Sequence, residues 1–406
     1  VVVVGASLAG YATVRELRAC GYAGRIHLIG DEPHLPYDRP PLSKGYLART
    51  DPEDRIWLAT LQELDGLDLS FSLGRSAVGV DPVGHQVELD DGSLLPYDEL
   101  VIATGASPRL VAGLTPRSRP ETVLTLRTLE DARRLSDLLI SEEPTDPPRL
   151  TVIGASFIGC EVASTGLALG AHVTLIDSRE TPMNLALHSE VGTQLAEWYE
   201  RAGIELRLVS TVHEIMVTPS GSQSYDTEVR LETGGALPAD VVVIGVGVDP
   251  NTGWLADSGL ALDDGLVCDA TLRATPGVWA VGDVCRWGAP GEPTQRLEHW
   301  TNAHAQAEHV ARAITSGSAP ARFESTPYYW SDQLGMRIEV VGDPPPGSDV
   351  EYLWGSSTAD SSVAAYRVDG QVRAVAGINA LPQVLSIRRL FSRTDQWTRA
   401  VDELEW

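Results

Sequence analysis

Gly5-Ala6-Ser7-Leu8-Ala9-Gly10 follows a run of four valines and opens a helix-forming stretch, Tyr11 to Cys20. Those residue types at that spacing can hold a pyrophosphate. Gly5 permits the tight turn, and Gly10 lets the helix close on the strand. Ser7, at the place of a middle glycine, is still small enough for phosphate to reach the backbone. The first helical N–H groups and the positive end of the helix dipole face the anion. A second apolar run, Ile26–Ile29, ends at Gly30-Asp31-Glu32. An acid such as Asp31, about 20 residues beyond the turn, is placed to accept from a ribose hydroxyl.

The pattern occurs twice. Leu150–Ile153 leads into Gly154-Ala155-Ser156-Phe157-Ile158-Gly159, a helix, and Val173-Thr174-Leu175-Ile176-Asp177. One glycine turn is weak evidence; two in strand–turn–helix–strand context predict two dinucleotides. Asp177 can accept from an adenosine ribose and repel a 2′-phosphate, which favours NADH over NADPH. Arg179, two residues on, opposes that preference. Glu161, just after Gly159, is expected in the first helical turn, near the cofactor end.

Other elements must position these turns. The chain has 406 residues, enough for two or three domains. Asp31 to Lys44 contains four prolines, which forbid a regular helix and stiffen the loop. Such a loop can place Arg39 and Lys44 over a cofactor, and Lys44 beside a flavin would raise its electron affinity. Residues 67–102 read as a β-meander. They end in Leu100-Val101-Ile102-Ala103-Thr104-Gly105, a buried strand whose Thr104-Gly105 lets backbone pass close to a cofactor. Thr128 and Asp131 are spaced as N-cap and N3 of a helix. Glu142–Pro148 reads as a connector. Val278–Asp283 is a strand ending in Gly-Asp, able to bring Asp283 to a ribityl hydroxyl. Beyond about 320 the pattern changes to alternating strands and an Arg-rich helix, a small α+β domain.

The charge of −25, from 31 basic and 56 acidic residues, disfavours nucleic acid and anionic membranes as partners. No apolar run approaches the roughly 20 residues of a membrane span. Cys20, Cys160, Cys268 and Cys285 show no metal-ligand spacing, so no metal is expected. They read as buried reduced thiols of a cytoplasmic protein.

Several stretches together carry a family likeness. They are Tyr37-Asp38-Arg39-Pro40-Pro41-Leu42-Ser43-Lys44, Ala103-Thr104-Gly105, Arg127-Thr128-Leu129-Glu130-Asp131-Ala132, Gly159-Cys160-Glu161-Val162-Ala163, Ala280-Val281-Gly282-Asp283, Glu298-His299-Trp300-Thr301-Asn302-Ala303 and Trp330-Ser331-Asp332-Gln333. With them the chain resembles the FAD-dependent ferredoxin reductases of the putidaredoxin-reductase type, over essentially its whole length. The resemblance implies an α/β protein with two Rossmann-like dinucleotide-binding domains, glutathione-reductase-like, plus a C-terminal α+β domain. It implies a discontinuous FAD domain, 1–110 and 236–318, an NADH domain, 111–235, and a C-terminal interface domain, 319–406. Ala9, Asp31, Lys44, Ala77, Arg127, Asp283 and Trp300 match FAD-binding positions. Gly154–Gly159, Asp177 and Gly247 match the NADH site. Lys44 and Glu161 match a catalytic ion pair beside the flavin N5.

The expected activity passes electrons from NADH through FAD to a [2Fe–2S] ferredoxin serving a haem monooxygenase or ring-hydroxylating dioxygenase, from a monomer. Arg296, Arg388, Arg389 and Arg393, with Arg399, are the candidate basic island for an acidic ferredoxin. Rubredoxin or monodehydroascorbate reduction, and a non-enzymatic NADH-sensing role, are the alternatives. A disulfide reductase or NADH oxidase is disfavoured, because Cys20 sits at the far end of the first helix and residues 31–50 hold no cysteine.

Overall fold

The computed structural model describes residues 1–111, 114, 121–140, 147–219, 225–289, 291–391 and 401. The Glu142–Pro148 connector falls largely outside them, as do Arg393 and Arg399. The chain divides into two compact units.

The first unit comprises Val1–Asp38, Glu53–Ser107 and Val248–Pro327. Its six-stranded sheet runs Arg273–Thr275, Val278–Ala280, Leu100–Ile102, Val2–Val4, Ile26–Gly30, Leu69–Leu73. Val2–Val4 lies between parallel neighbours on both sides, Val3 pairing with Leu28 and Val101. A strand covered on both faces must be apolar throughout, which is why the valines do not alternate with polar residues. Leu8–Ala19 follows as a helix that buries Ala12, Val14 and Leu17. The expected meander is only partly formed. Leu69–Leu73 instead extends the parallel sheet beside Ile26–Gly30. Antiparallel pairing is confined to Ala77–Asp81, Gln86–Leu89 and Leu94–Pro96. Leu69–Leu73 has too few buried positions to signal a parallel strand by composition.

The second unit comprises Arg39–Pro52, Pro108–Gly247 and Tyr328–Trp406. Its parallel sheet runs Glu205–Arg207, His172–Ile176, Arg149–Ile153, Val241–Ile244, Val123–Leu124. Two expected boundaries are thereby corrected. Val241–Ile244, assigned to the FAD domain from residue 236, pairs with Leu150–Ile153 inside this second sheet. Arg39–Pro52, assigned to the first domain, groups with the second unit. A four-residue apolar strand carries no mark of which sheet it enters. Hydrogen-bonded register decides it.

Thr128 caps the helix Leu129–Leu139 reciprocally with Asp131, as the sequence predicts. The C-terminal strands form an antiparallel sheet in the order Tyr328–Gln333, Met336–Gly342, Gln371–Ile378, Ser362–Val368, Asp349–Trp354. The helix Leu381–Phe391 covers it with Val384, Ile387 and Phe391, spaced three and four residues apart. A Cβ at Gly377 would meet a Val384 methyl at 2.2 Å, so glycine sets the closeness of helix and sheet. Among the described residues no helix is long and apolar enough to cross a membrane.

Candidate dinucleotide and ion-pair sites

Each glycine turn is built by the same two close approaches. Gly5 has φ +114, and a Cβ there would lie 2.2 Å from the Ala103 carbonyl oxygen. Gly154 has φ +102, and its Cβ would lie 2.2 Å from the Gly245 carbonyl oxygen. Gly10 and Gly159 each face the carbonyl of the first glycine of their own turn, where a Cβ would approach to 1.8 Å. No side chain other than hydrogen could occupy these four positions without moving backbone. Ser7 and Ser156 are the N-caps of their helices, and neither side chain caps its helix. Neither helix has an acid in its first turn. Both therefore present backbone N–H groups and dipole to an anion with no carboxylate from the helix's own first turn. The cradle fits a pyrophosphate at both turns.

In the first unit the residues around Gly5 are drawn together. Ala9 packs against the turn at Gly282, where a Cβ would meet the Ala9 Cβ at 3.0 Å. Gly282 has φ +76, and its N–H is accepted by the Gln306 side chain at 2.7 Å. Asp283 follows in the short 3-10 turn Gly282–Val284. Asp31 is exposed at the end of its strand, with Glu32 held by the Tyr37 hydroxyl at 2.5 Å. Thr104 donates its hydroxyl to the Asn251 carbonyl at 3.0 Å, and the Asn251 amide returns a bond to the Thr104 carbonyl at 2.8 Å. Trp300 begins the helix Trp300–Ser316 and donates its indole N–H to Asp38 at 2.8 Å. Ala77 lies at the start of the first antiparallel strand.

In the second unit Asp177 closes the Gly154 turn. Its Oδ2 accepts from the Ala155 N–H at 2.7 Å, and its Oδ1 accepts from the Arg179 N–H at 2.8 Å. The carboxylate thus fixes the turn as well as lying at the strand end where a ribose would sit. Phe157 packs edge-on to Tyr329, 5.4 Å between centroids, and Ile158 and Gly159 follow in the helix Phe157–Ala168. Gly247, φ +105, accepts from the Arg109 N–H through its carbonyl at 2.9 Å. Arg39 donates to the Arg127 carbonyl at 2.5 Å.

The same unit joins Lys44 and Glu161. The Lys44 ammonium lies 2.6 Å from Glu161 Oε2, and the Lys44 and Glu161 side chains are only 20% and 6% exposed. Ser43 donates to the same oxygen at 2.5 Å. The helix starts at Phe157, so Glu161 falls in its second turn and not its first. At that rung it points to Ser43 and Lys44, not along the helix axis toward the pyrophosphate. Ser331, from the C-terminal sheet, donates to Glu161 Oε1 at 2.6 Å. Ser331, Gln333 and Tyr199 were not among the predicted site residues. Two-residue alternation in Trp330-Ser331-Asp332-Gln333 would have put Ser331 and Gln333 on one face.

One expectation about the basic island changes. Arg296 is not available to a partner: its side chain is 9% exposed and bound by Asp264, Glu298 and the Asp283 carbonyl. Several nearby acceptors draw a guanidinium inward, which charge counting cannot anticipate. Arg388 lies 4.0 Å over the Tyr328 ring, and Arg389 is exposed. The four cysteines are free thiols. Burial pushes the Cys160 thiol up to about 12, which leaves it protonated and unreactive at neutral pH.

Two largely parallel sheets, each leading into a glycine turn open to an anion, with a buried ammonium–carboxylate pair and an antiparallel C-terminal module, define a two-dinucleotide oxidoreductase. The chain belongs to the pyridine nucleotide-disulphide oxidoreductase family, whose model matches residues 1–307, and carries a Reductase C-terminal module over residues 328–402. It is 34% identical to rhodocoxin reductase of Rhodococcus erythropolis over 366 residues, 89% of this chain and 82% of that protein. It is 32% identical to the biphenyl dioxygenase system ferredoxin–NAD(+) reductase component of Paraburkholderia xenovorans, covering 96% of this chain and 92% of that one. Its structure is similar to that of putidaredoxin reductase in a covalent complex with putidaredoxin, with a TM-score of 0.89, 31% identity and coverage of 97% and 93%.

Proposed function

We propose that this protein is an NADH-dependent ferredoxin reductase, passing electrons from NADH by way of FAD to a [2Fe–2S] ferredoxin that serves a haem monooxygenase or ring-hydroxylating dioxygenase. The duplicated turn carries the reading: both copies show the same positive φ, the same carbonyl approach and the same open helix N-terminus. The relatives' names supply the acceptor class. One NADH yields two electrons and a proton, so two one-electron ferredoxins are reduced per turnover.

The residues divide by role. Gly5, Ser7, Ala9 and Gly10, with Asp31, Arg39, Ala77, Thr104, Arg127, Asp283 and Trp300, hold FAD. Gly154 to Gly159, Asp177 and Gly247 hold NADH. Flavin, when bound, accepts hydride from a nicotinamide and can release electrons singly. The protein orients the two rings and supplies fixed charge. Lys44 provides that charge, and Glu161 fixes the ammonium. Arg388 and Arg389 offer the partner a basic surface, with Arg393 beyond the described residues. We assign the protein to the cytoplasm, a reading that four free thiols support.

The test is anaerobic titration of the purified protein with NADH, followed by stopped-flow mixing with a panel of [2Fe–2S] ferredoxins. Bleaching of a yellow protein and reoxidation by two equivalents of ferredoxin are expected. A colourless protein, or a flavoprotein that NADH reduces but no ferredoxin reoxidises, would refute the reading.

A further inference from the structure

The contacts around Glu161 continue beyond the ion pair. Ser331 donates to Glu161 Oε1 at 2.6 Å and itself accepts from the Gln333 side-chain amide at 2.8 Å. Gln333 accepts from the Tyr199 hydroxyl through its Oε1. The amide's other side is set by Met183, whose sulfur lies 3.7 Å from Gln333 Nε2. Tyr199 and Ser331 are fully buried, and Gln333 is 2% exposed. Burial drives the Tyr199 hydroxyl's pKa well above its ordinary value, so it stays a donor. The turn after this strand is tied to the same helix, with the Leu334 N–H donating to Ser164 at 2.6 Å.

The carboxylate end fixes the order of donors. Glu161 Oε1 accepts, so Ser331 spends its one proton there and accepts from the Gln333 amide nitrogen. The amide oxygen then faces the Tyr199 hydroxyl, which also lies 3.4 Å from the Cys160 carbonyl. Three dipoles in series are aimed at one carboxylate, which also takes Ser43 on its other oxygen. Buried hydrogen-bond chains of this kind strengthen one another. The chain ends at Tyr199, which reaches no solvent, so it cannot carry protons away. Its only consequence is positional.

We infer that Ser331, Gln333 and Tyr199 form a positioning relay through which the C-terminal module holds the Glu161 carboxylate, and hence the Lys44 ammonium, in its working place. The inference rests on the FAD reading above and deepens it: the C-terminal module completes the charge arrangement of the reductive half-reaction through its sheet as well as bearing a partner surface on its helix. Ser331, Gln333 and Tyr199 are positioning residues that touch neither nucleotide in this account.

The test compares holoenzymes carrying Ser331→Ala, Gln333→Met and Tyr199→Phe. Two quantities are measured: the flavin midpoint potential by anaerobic dye-linked titration, and the NADH-to-flavin transfer rate by stopped flow. Each variant is expected to lower the potential in the direction of Lys44→Met, by less than that change. Ser331→Ala should slow hydride transfer about tenfold, the scale of a sub-ångström displacement of a positioned group. In a Glu161→Gln background Ser331→Ala should have no additional effect, because the group it positions is gone. Tyr199→Phe removes one hydroxyl and keeps the ring, so it stands in if Ser331→Ala does not fold. A flavoprotein reduced by NADH whose variants match the parent in potential and rate overturns the relay alone. So does an unchanged Ser331→Ala effect in the Glu161→Gln background. A protein without flavin overturns the electron-transfer reading and the relay with it.

Discussion

Removing either half of the Lys44–Glu161 pair should cost far more than removing both. At 2.6 Å the pair's attraction is about 6 kcal/mol for an effective dielectric near 20. Two buried ions each lose several kcal/mol of hydration, so the intact pair adds little net stability. The singles differ, because each strands a charge. Lys44→Met leaves a carboxylate held only by Ser43 and Ser331, at a cost of about 3 kcal/mol. Glu161→Gln leaves an ammonium with the Pro40 carbonyl at 3.1 Å and limited water, at a cost of about 2–3 kcal/mol. The double variant strands neither, so its own loss should be small and the coupling energy should approach the sum of the two single losses, about 5 kcal/mol. Urea unfolding of the parent, both singles and the double, at one protein and FAD concentration and neutral pH, measures all four corners. Single-variant losses that add to within about 0.5 kcal/mol would show that the two groups do not depend on each other, and would refute this account.

The two glycine turns can be separated by matched substitutions. A Cβ at Gly10 or Gly159 would meet a backbone carbonyl at 1.8 Å. Gly10→Ala should purify without flavin, whereas Gly159→Ala should purify yellow and resist reduction by NADH; absorbance before and after NADH addition reads both. Asp177→Ala removes the acceptor of the Ala155 N–H and leaves Arg179 beside the ribose position. The ratio of kcat/KM for NADH over NADPH should fall at least about tenfold, the value of one charge-assisted hydrogen bond. Burial depresses the His299 pKa from 6.5 to about 4. The folded state then binds fewer protons than the unfolded state between those values, so His299's contribution, about 3 kcal/mol, is present above pH 6.5 and lost as pH falls toward 4. His299→Gln should flatten the dependence of Tm on pH across that window, and an unchanged slope would contradict the burial argument.

Much of the site was legible because glycine turns are local devices. Gly5, Gly10, Gly154 and Gly159 announce themselves by spacing: Gly10 and Gly159 each face the carbonyl of the first glycine of their own turn, whereas the carbonyls of Ala103 and Gly245 that Gly5 and Gly154 face are distant in sequence and left no local signal. The N-cap at Thr128 and the strands of the C-terminal sheet were equally local. The likeness in Tyr37–Lys44 and Gly159–Ala163 supplied the pairing of Lys44 with Glu161, which are 117 positions apart and carry no local signal of contact. The domain bounds that the likeness implied misassigned Val241–Ile244, and composition could not correct them, because a fully buried parallel strand reads the same in either sheet. Charge counting offered Arg296 as a free cation, when Asp264 and Glu298 hold it.

The sequence alone determined that this chain holds two dinucleotides and uses no cysteine near the flavin-binding motifs. These follow from short-range sterics and from which residue types are present. Tertiary structure alone decided which strand completes which sheet, the second-turn position from which Glu161 meets Ser43 and Lys44, and the supply of its third donor from residue 331. Those depend on long-range register and on the orientation of individual protons in a buried hydrogen-bond chain, neither of which any window of sequence encodes.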